Sequence, residues 1–151
     1  MLPSVPSPVN RGRRARDLDH ALELMYFGFR RVVREPDRLL ARRGLARMHH
    51  RLLYFVVRQP GITMSALLAT MGLTKQAIHR PVRDLVKRGL LVITPDERDR
   101  RVRRLTATDR GRAYEAHLTG IQHRRLAGIF RRAGGAAEQA WRTVMGLLAE
   151  D

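Results

Sequence analysis

Residues 74–90 read TKQAIHRPVRDLVKRGL. Ile78, Val82, Leu85 and Val86 fall on one helical stripe, and Gln76, His79, Arg80, Arg83 and Lys87 on the opposite one. Thr74 is a good N-cap and Gly89 a good terminator. A DNA major groove admits one helix, in which Arg takes guanine with two hydrogen bonds and Gln takes adenine likewise. The helix start, with Lys75, suits phosphate. Taken alone, the outward stripe also fits a solvated amphipathic helix, so its neighbours must decide.

Those neighbours favour a DNA reader. Ahead of the stretch, Thr63 caps a short helix that runs to about Met71 and stops at Gly72. Behind it, residues 90–94 are short, apolar and β-branched, residues 95–100 are charged and turn-forming, and residues 101–107 are extended again. That pattern is a β-hairpin. Its tip carries Arg98, Arg100 and Arg101, which can enter a narrow minor groove where the negative potential is high. Asp99 is expected to pair with one of these arginines and fix its direction.

Further out, Leu18, Leu22, Met25, Phe29 and Val32 recur at helical spacing from Asp17, and Glu35-Pro36 is expected to end that helix. A second helix covers residues 45–58, with Met48, Leu52, Phe55 and Val56 inward and Pro60-Gly61 behind it. Thr108 and Asp109 open a long helix over residues 109–132, and Gly134-Gly135 breaks it. A final helix, residues 136–150, sets Ala137, Ala140, Trp141, Val144 and Leu148 on one face. The expected fold is mainly α with a small β-hairpin wing: a winged helix-turn-helix part, about 45–107, and outer helices, about 17–34 and 109–150, within one domain of 17–151. The outer helices carry more apolar surface than a small domain covers, which points to a second copy of the chain.

Composition is consistent with this. The 151 residues suit one domain, and 44% hydrophobic with 29% charged is ordinary globular usage. The net charge of +16, from 30 basic against 14 acidic residues, draws polyanions. Only two of the basic residues are lysines. Base composition of the coding sequence explains that ratio but not the excess over acids. Aromatics at 5% are too few for a single-strand stacking platform. With no cysteine, thiolate chemistry and disulfides are absent. No apolar run approaches the roughly 18 residues of a spanning helix, so a cytoplasmic protein is expected. Residues 1–16, with Pro3, Pro6 and Pro8 before Arg11, Arg13, Arg14 and Arg16, read as a flexible basic tail. Such a tail is either solvated or follows DNA phosphates.

Residues 72–111 resemble the winged helix of the MarR family. The resemblance rests on Gly72-Leu73 entering the reading helix, Arg88-Gly89-Leu90 leaving it, Asp99-Arg100-Arg101 in the wing, and Ala107-Thr108-Asp109-Arg110-Gly111 leading into the long helix. It extends well over residues 44–115 and by layout beyond. Ala107 stands where the family usually has Leu. The resemblance implies a homodimeric transcriptional regulator, here a repressor, on near-palindromic double-stranded DNA. It places Arg80 at a base-reading position, Thr74, Lys75, Gln76 and Ala77 at helix-start contacts, Arg100 and Arg101 at the minor groove, and Asp99 as the bracing acid. It further implies a small aromatic or anionic effector, for which Tyr26, Phe29, Arg47, Met48, His49 and Leu52 could line a cleft.

Three matters stay open at this level. Pro81 sits inside the reading helix, where an interior proline costs about 3 kcal/mol, so the helix is expected to kink or to begin its regular part there. An architectural DNA coat with little sequence preference fits the charge as well. An enzyme or metal sensor has little support. No phosphate loop, nucleophile elbow or paired carboxylates appear, the six histidines lack i, i+4 pairs, and no cofactor is expected.

Overall fold

The structure is a computed structural model that describes residues 8–150, with side chains from residue 12 onward. In chain order it has α1 (Pro8–Ala41), α2 (Arg47–Arg58), β1 (Ile62–Thr63), α3 (Met64–Met71), α4 (Lys75–Lys87), β2 (Leu91–Pro95), β3 (Arg103–Ala107), α5 (Asp109–Ala133) and α6 (Gly135–Glu150). The chain divides into two compact units, Met1–Arg34 and Glu35–Asp151.

Two expectations about α1 change. The helix begins at Pro8, so residues 8–16, expected as tail, are helical, while residues 1–7 lie outside the described residues. A proline in the first turn gives up an N–H that has no helical partner anyway, and the arginines after it are good helix formers. Nor does the helix end at Glu35-Pro36: it continues to Ala41. Pro36 and Leu40 are both fully buried. Burying a Leu side chain stabilises by about 1.5–3 kcal/mol, enough to offset much of the cost of an interior proline. In the N-terminal unit Leu18, Leu22, Leu24, Met25, Tyr26, Phe27 and Phe29 are all exposed, and Tyr26 meets Phe27 edge-on.

The second unit holds the core. Leu40, Leu52, Leu53, Leu67, Ile78, Leu85, Leu91, Leu105 and Leu118 have essentially no exposure and form one cluster. α2 lies at its centre, packing on α4, α5 and β3. The hairpin pairs β2 with β3 in antiparallel register, Leu91 opposite Ala107 and Pro95 opposite Arg103. β1 adds a third strand, Ile62 opposite Leu105, in the order β1-β3-β2. Two residues are too few to show alternation, so the sequence pattern does not reveal β1. α6 buries none of its residues, leaving Trp141, Val144, Leu147 and Leu148 exposed.

The seam between the wing and α5 is tied at one point. The Thr108 hydroxyl accepts the Gly111 N–H at 3.0 Å and donates to the Gly89 carbonyl at 2.7 Å. Its backbone N–H reaches the Leu90 carbonyl at 3.1 Å. Gly111 has no alternative here: a Cβ would stand 2.0 Å from the Leu90 oxygen.

Candidate nucleic-acid interface

Thr63 and Thr74 start the two helices of the central motif in the same way. Each hydroxyl accepts a backbone N–H three residues on, from Ala66 at 3.1 Å and Ala77 at 3.4 Å. Between them Gly72 takes the left-handed conformation, φ 61°, that closes α3. α4 then runs unbroken through Pro81, so its regular part begins at Lys75 and not at the proline. Ile78, Val82 and Leu85 are buried and clamp the helix on both sides of Pro81. The opposite face exposes Lys75, Gln76, Ala77, His79, Arg80, Arg83 and Lys87, with Thr74 exposed at the cap.

One carboxylate touches this face. Asp84 receives Arg80 at 4.0 Å in an i, i+4 pair, and Arg80 remains 86% exposed. The same Asp84 oxygen lies 3.4 Å from Nε2 of buried His49 on α2. His49 Nδ1 accepts the Ala46 N–H at 2.9 Å, so its proton sits on Nε2 and is donated to Asp84. His49 therefore anchors the carboxylate, which lies at the limit of ion-pair range from Arg80. No spacing between these residues signals this link.

The wing is braced by two acids. Asp99, expected as the brace, takes Arg101 through Nε at 3.1 Å and Nη2 at 3.2 Å, and accepts its backbone N–H at 3.0 Å. The Arg101 guanidinium and backbone N–H hold the Asp99 carboxyl below the usual carboxylate range. Asp96, which the sequence left as part of the turn, does more. Its Oδ1 accepts the N–H groups of Arg98 at 2.8 Å and Asp99 at 3.1 Å. Its Oδ2 pairs with Arg104, whose other end donates to the Gly61 carbonyl at 2.8 Å and so ties the wing to the residue before β1. Arg104, with the two N–H groups, holds Asp96 low as well. A Pro-Asp start to a turn is the signal that could have found it. Arg98 and Arg100 are exposed, with no ion-pair partner among the described residues.

The residues expected around an effector fall in both units. Tyr26 and Phe29 are exposed in the N-terminal unit. On α2, Leu52 is fully buried and His49 is bonded through both nitrogens. Arg47 pairs with Asp37 at 2.5 Å, and Met48 is half-buried. Next to them runs a second polar chain: Arg58 donates to buried Glu115 at 2.9 Å, Thr119 donates to the same oxygen at 2.5 Å, and His50 Nε2 lies 3.0 Å from Thr119. Because the Thr119 proton goes to Glu115, His50 is the donor to Thr119. Burial pushes the His50 pKa down. Among the described residues no three His, Asp or Glu side chains form a metal-binding group, and no helix is long and apolar enough to cross a membrane.

A helix-turn-helix whose second helix shows a cationic polar face, followed by a braced basic hairpin, defines a winged helix-turn-helix protein. The sequence pattern of the MarR family matches residues 43–102. The HTH-type transcriptional regulator PetP of Rhodobacter capsulatus is 35% identical over 128 residues, which is 85% of this chain and 77% of that one. The chain belongs to the MarR family of DNA-binding transcriptional regulators. The fold agrees with solved structures. A MarR-family regulator from Rhodococcus sp. RHA1 superposes with a TM-score of 0.69 at 25% identity, covering 88% of this chain and 94% of that one. S. aureus MepR, solved in complex with DNA, gives 0.69 at 16% identity over 85% of this chain and 96% of its own.

Proposed function

We propose that the chain acts as a homodimer that recognises a near-palindromic duplex by sequence and represses transcription from it. The observation that carries the reading is the division of α4: Ile78, Val82 and Leu85 are in the core, while Gln76, His79, Arg80 and Arg83 face outward. In this reading those four side chains meet base edges, and the helix start at Thr74, Lys75 and Ala77 meets phosphate. Arg98, Arg100 and Arg101 take the minor groove, with Asp99 aiming Arg101. The MepR complex supports this use of the fold.

A dimer is supported by the apolar side chains exposed on both outer helices, from Leu18 to Phe29 and from Trp141 to Leu148. A stretch of that size at a chain surface calls for a cover. Two copies would set the recognition helices about 34 Å apart, one helical turn of DNA. A small effector that favours another spacing would lift repression. Of the α2 residues expected to line its cleft, Arg47, held by Asp37, and Met48 keep enough exposure to meet such a ligand.

Selection of bound duplexes from a random pool at physiological salt tests the reading. An enriched inverted repeat supports it. Retained binding without enrichment would leave the architectural coat, which the +16 charge also fits.

A further inference from the structure

α4 carries one acid. From Lys75 to Lys87 the chain has two lysines, two arginines and a histidine, and Asp84 alone opposes them. A carboxylate on a helix that enters a groove lined by phosphates is repelled, and it weakens binding to any duplex alike. Asp84 is nevertheless built in. Its Oδ2 lies 3.4 Å from Nε2 of His49, whose side chain is only 9% exposed. His49 is itself fixed, since its Nδ1 accepts the Ala46 N–H at 2.9 Å. α2, which bears His49, packs directly on α4. A donor from the core is thus committed to the single acid of the reading helix.

The direction of Asp84 is the second observation. Lys87 and Arg88 follow it by three and four residues, yet among the described residues its ion pairs are with His49 and Arg80. Helical side chains lean toward the helix start, which brings residues four apart together. Arg80 is met at Nε, 4.0 Å from Oδ2, and its side chain is 86% exposed. An arginine approached at Nε keeps both Nη groups free, the pair that takes O6 and N7 of a guanine end-on. In open water a pair at this distance is weak. Entry into the groove removes water, and the same separation then counts for several times more because the effective dielectric falls.

We propose that His49 and Asp84 are positioning residues for DNA reading: buried His49 fixes Asp84, and Asp84 draws the Nε side of Arg80 so that its two Nη groups face a guanine. The acid then lowers affinity for duplexes in general and raises the preference for one base pair. The proposal rests on the reading that Arg80 meets a base edge. It adds two residues that touch no DNA themselves, one of them in the core, to those that set sequence preference.

The test uses the full chain and the duplex that it enriches from a random pool. Each base pair of a half-site is replaced in turn, and Kd is measured for the unaltered chain, Arg80→Ala, Asp84→Asn and the double variant, with a scrambled duplex for general binding. Asp84→Asn keeps the size of the side chain and removes its charge. It should cut discrimination about threefold to tenfold, at the base pair where Arg80→Ala also cuts it. In the double variant it should add nothing to Arg80→Ala. Its binding to the scrambled duplex should hold or tighten, because a repulsive charge has gone. His49→Phe keeps a ring and removes the donor, and it should lower discrimination at the same base pair; if it does not fold, Asp84→Asn carries the test. Full discrimination in Asp84→Asn, or in a folded His49→Phe, overturns the proposal. So does a loss at another base pair, which would make Asp84 a reader itself, an additive loss in the double variant, or weakened binding to the scrambled duplex, which would mark damage to the helix. If the unaltered chain enriches no duplex, or Arg80→Ala discriminates fully, the reading of Arg80 falls and this proposal with it; preference intact in the unaltered chain and in Asp84→Asn, but lost in Arg80→Ala, overturns this proposal alone.

Discussion

Gly111→Ala sets two effects of opposite sign against each other. Replacing a helical Gly by Ala gains at most about 1 kcal/mol in propensity. Against this, the new Cβ would stand 2.0 Å from the Leu90 carbonyl oxygen and 3.0 Å from its carbon. A carbon–oxygen contact closes only to about 3.3 Å, so α5 and the chain at Leu90 must part by about 1.3 Å. Both atoms are backbone, and no rotamer change relieves the clash. The same seam carries the hydrogen bonds from Thr108 to Gly89 and Leu90, each contributing about 1 kcal/mol. Overpacking adds about 1–3 kcal/mol. The net expectation is a loss of about 2–4 kcal/mol. Urea unfolding followed by circular dichroism, at one fixed protein concentration, measures it. Gly120→Ala on the same helix is the comparison, because its Cβ would meet only the flexible end of Arg124 at 3.4 Å. That variant should be stabilised by up to about 1 kcal/mol. If Gly111→Ala is as stable as the unaltered chain, the close approach does not constrain the fold and the reasoning fails.

Three further outcomes follow from the site. In duplex titrations, Arg80→Ala should cost about 1–3 kcal/mol and relax base preference, whereas Arg101→Ala should weaken binding with a smaller change of preference; wild-type binding by both would remove the proposed contact map. Asp96→Ala should speed amide hydrogen exchange at Arg98 and Asp99, whose N–H groups it holds, with little change in the global unfolding midpoint. His50 has a lowered pKa in the folded chain, so below its ordinary value of 6.5 the unfolded chain binds a proton that the folded chain refuses. Stability should therefore fall as pH drops below about 6.5, and His50→Gln, which keeps a donor for Thr119, should flatten that slope; an unchanged slope would place the titration elsewhere.

The elements that could be read in the sequence are those with strong local chemistry at both ends. Thr63, Thr74 and Thr108 each cap the helix expected of them, and Gly72, Gly89 and Gly134 each take positive φ at an expected stop. Pro36 misled, being expected to end α1. Pro36 and Pro81 both lie inside helices, because the local penalty is met by burial that only the tertiary structure supplies: Pro36 and Leu40 in one case, Ile78, Val82 and Leu85 in the other. β1 went unseen because two residues acquire strand character only when β3 lies beside them.

The candidate site divides along the same line. The outward stripe of α4 and the Asp99–Arg101 pair follow from helix period and from contact order within a turn, so residue spacing was enough to find them. The link from His49 through Asp84 to Arg80 joins residues 35 apart and then four apart, and its long step leaves no periodic trace.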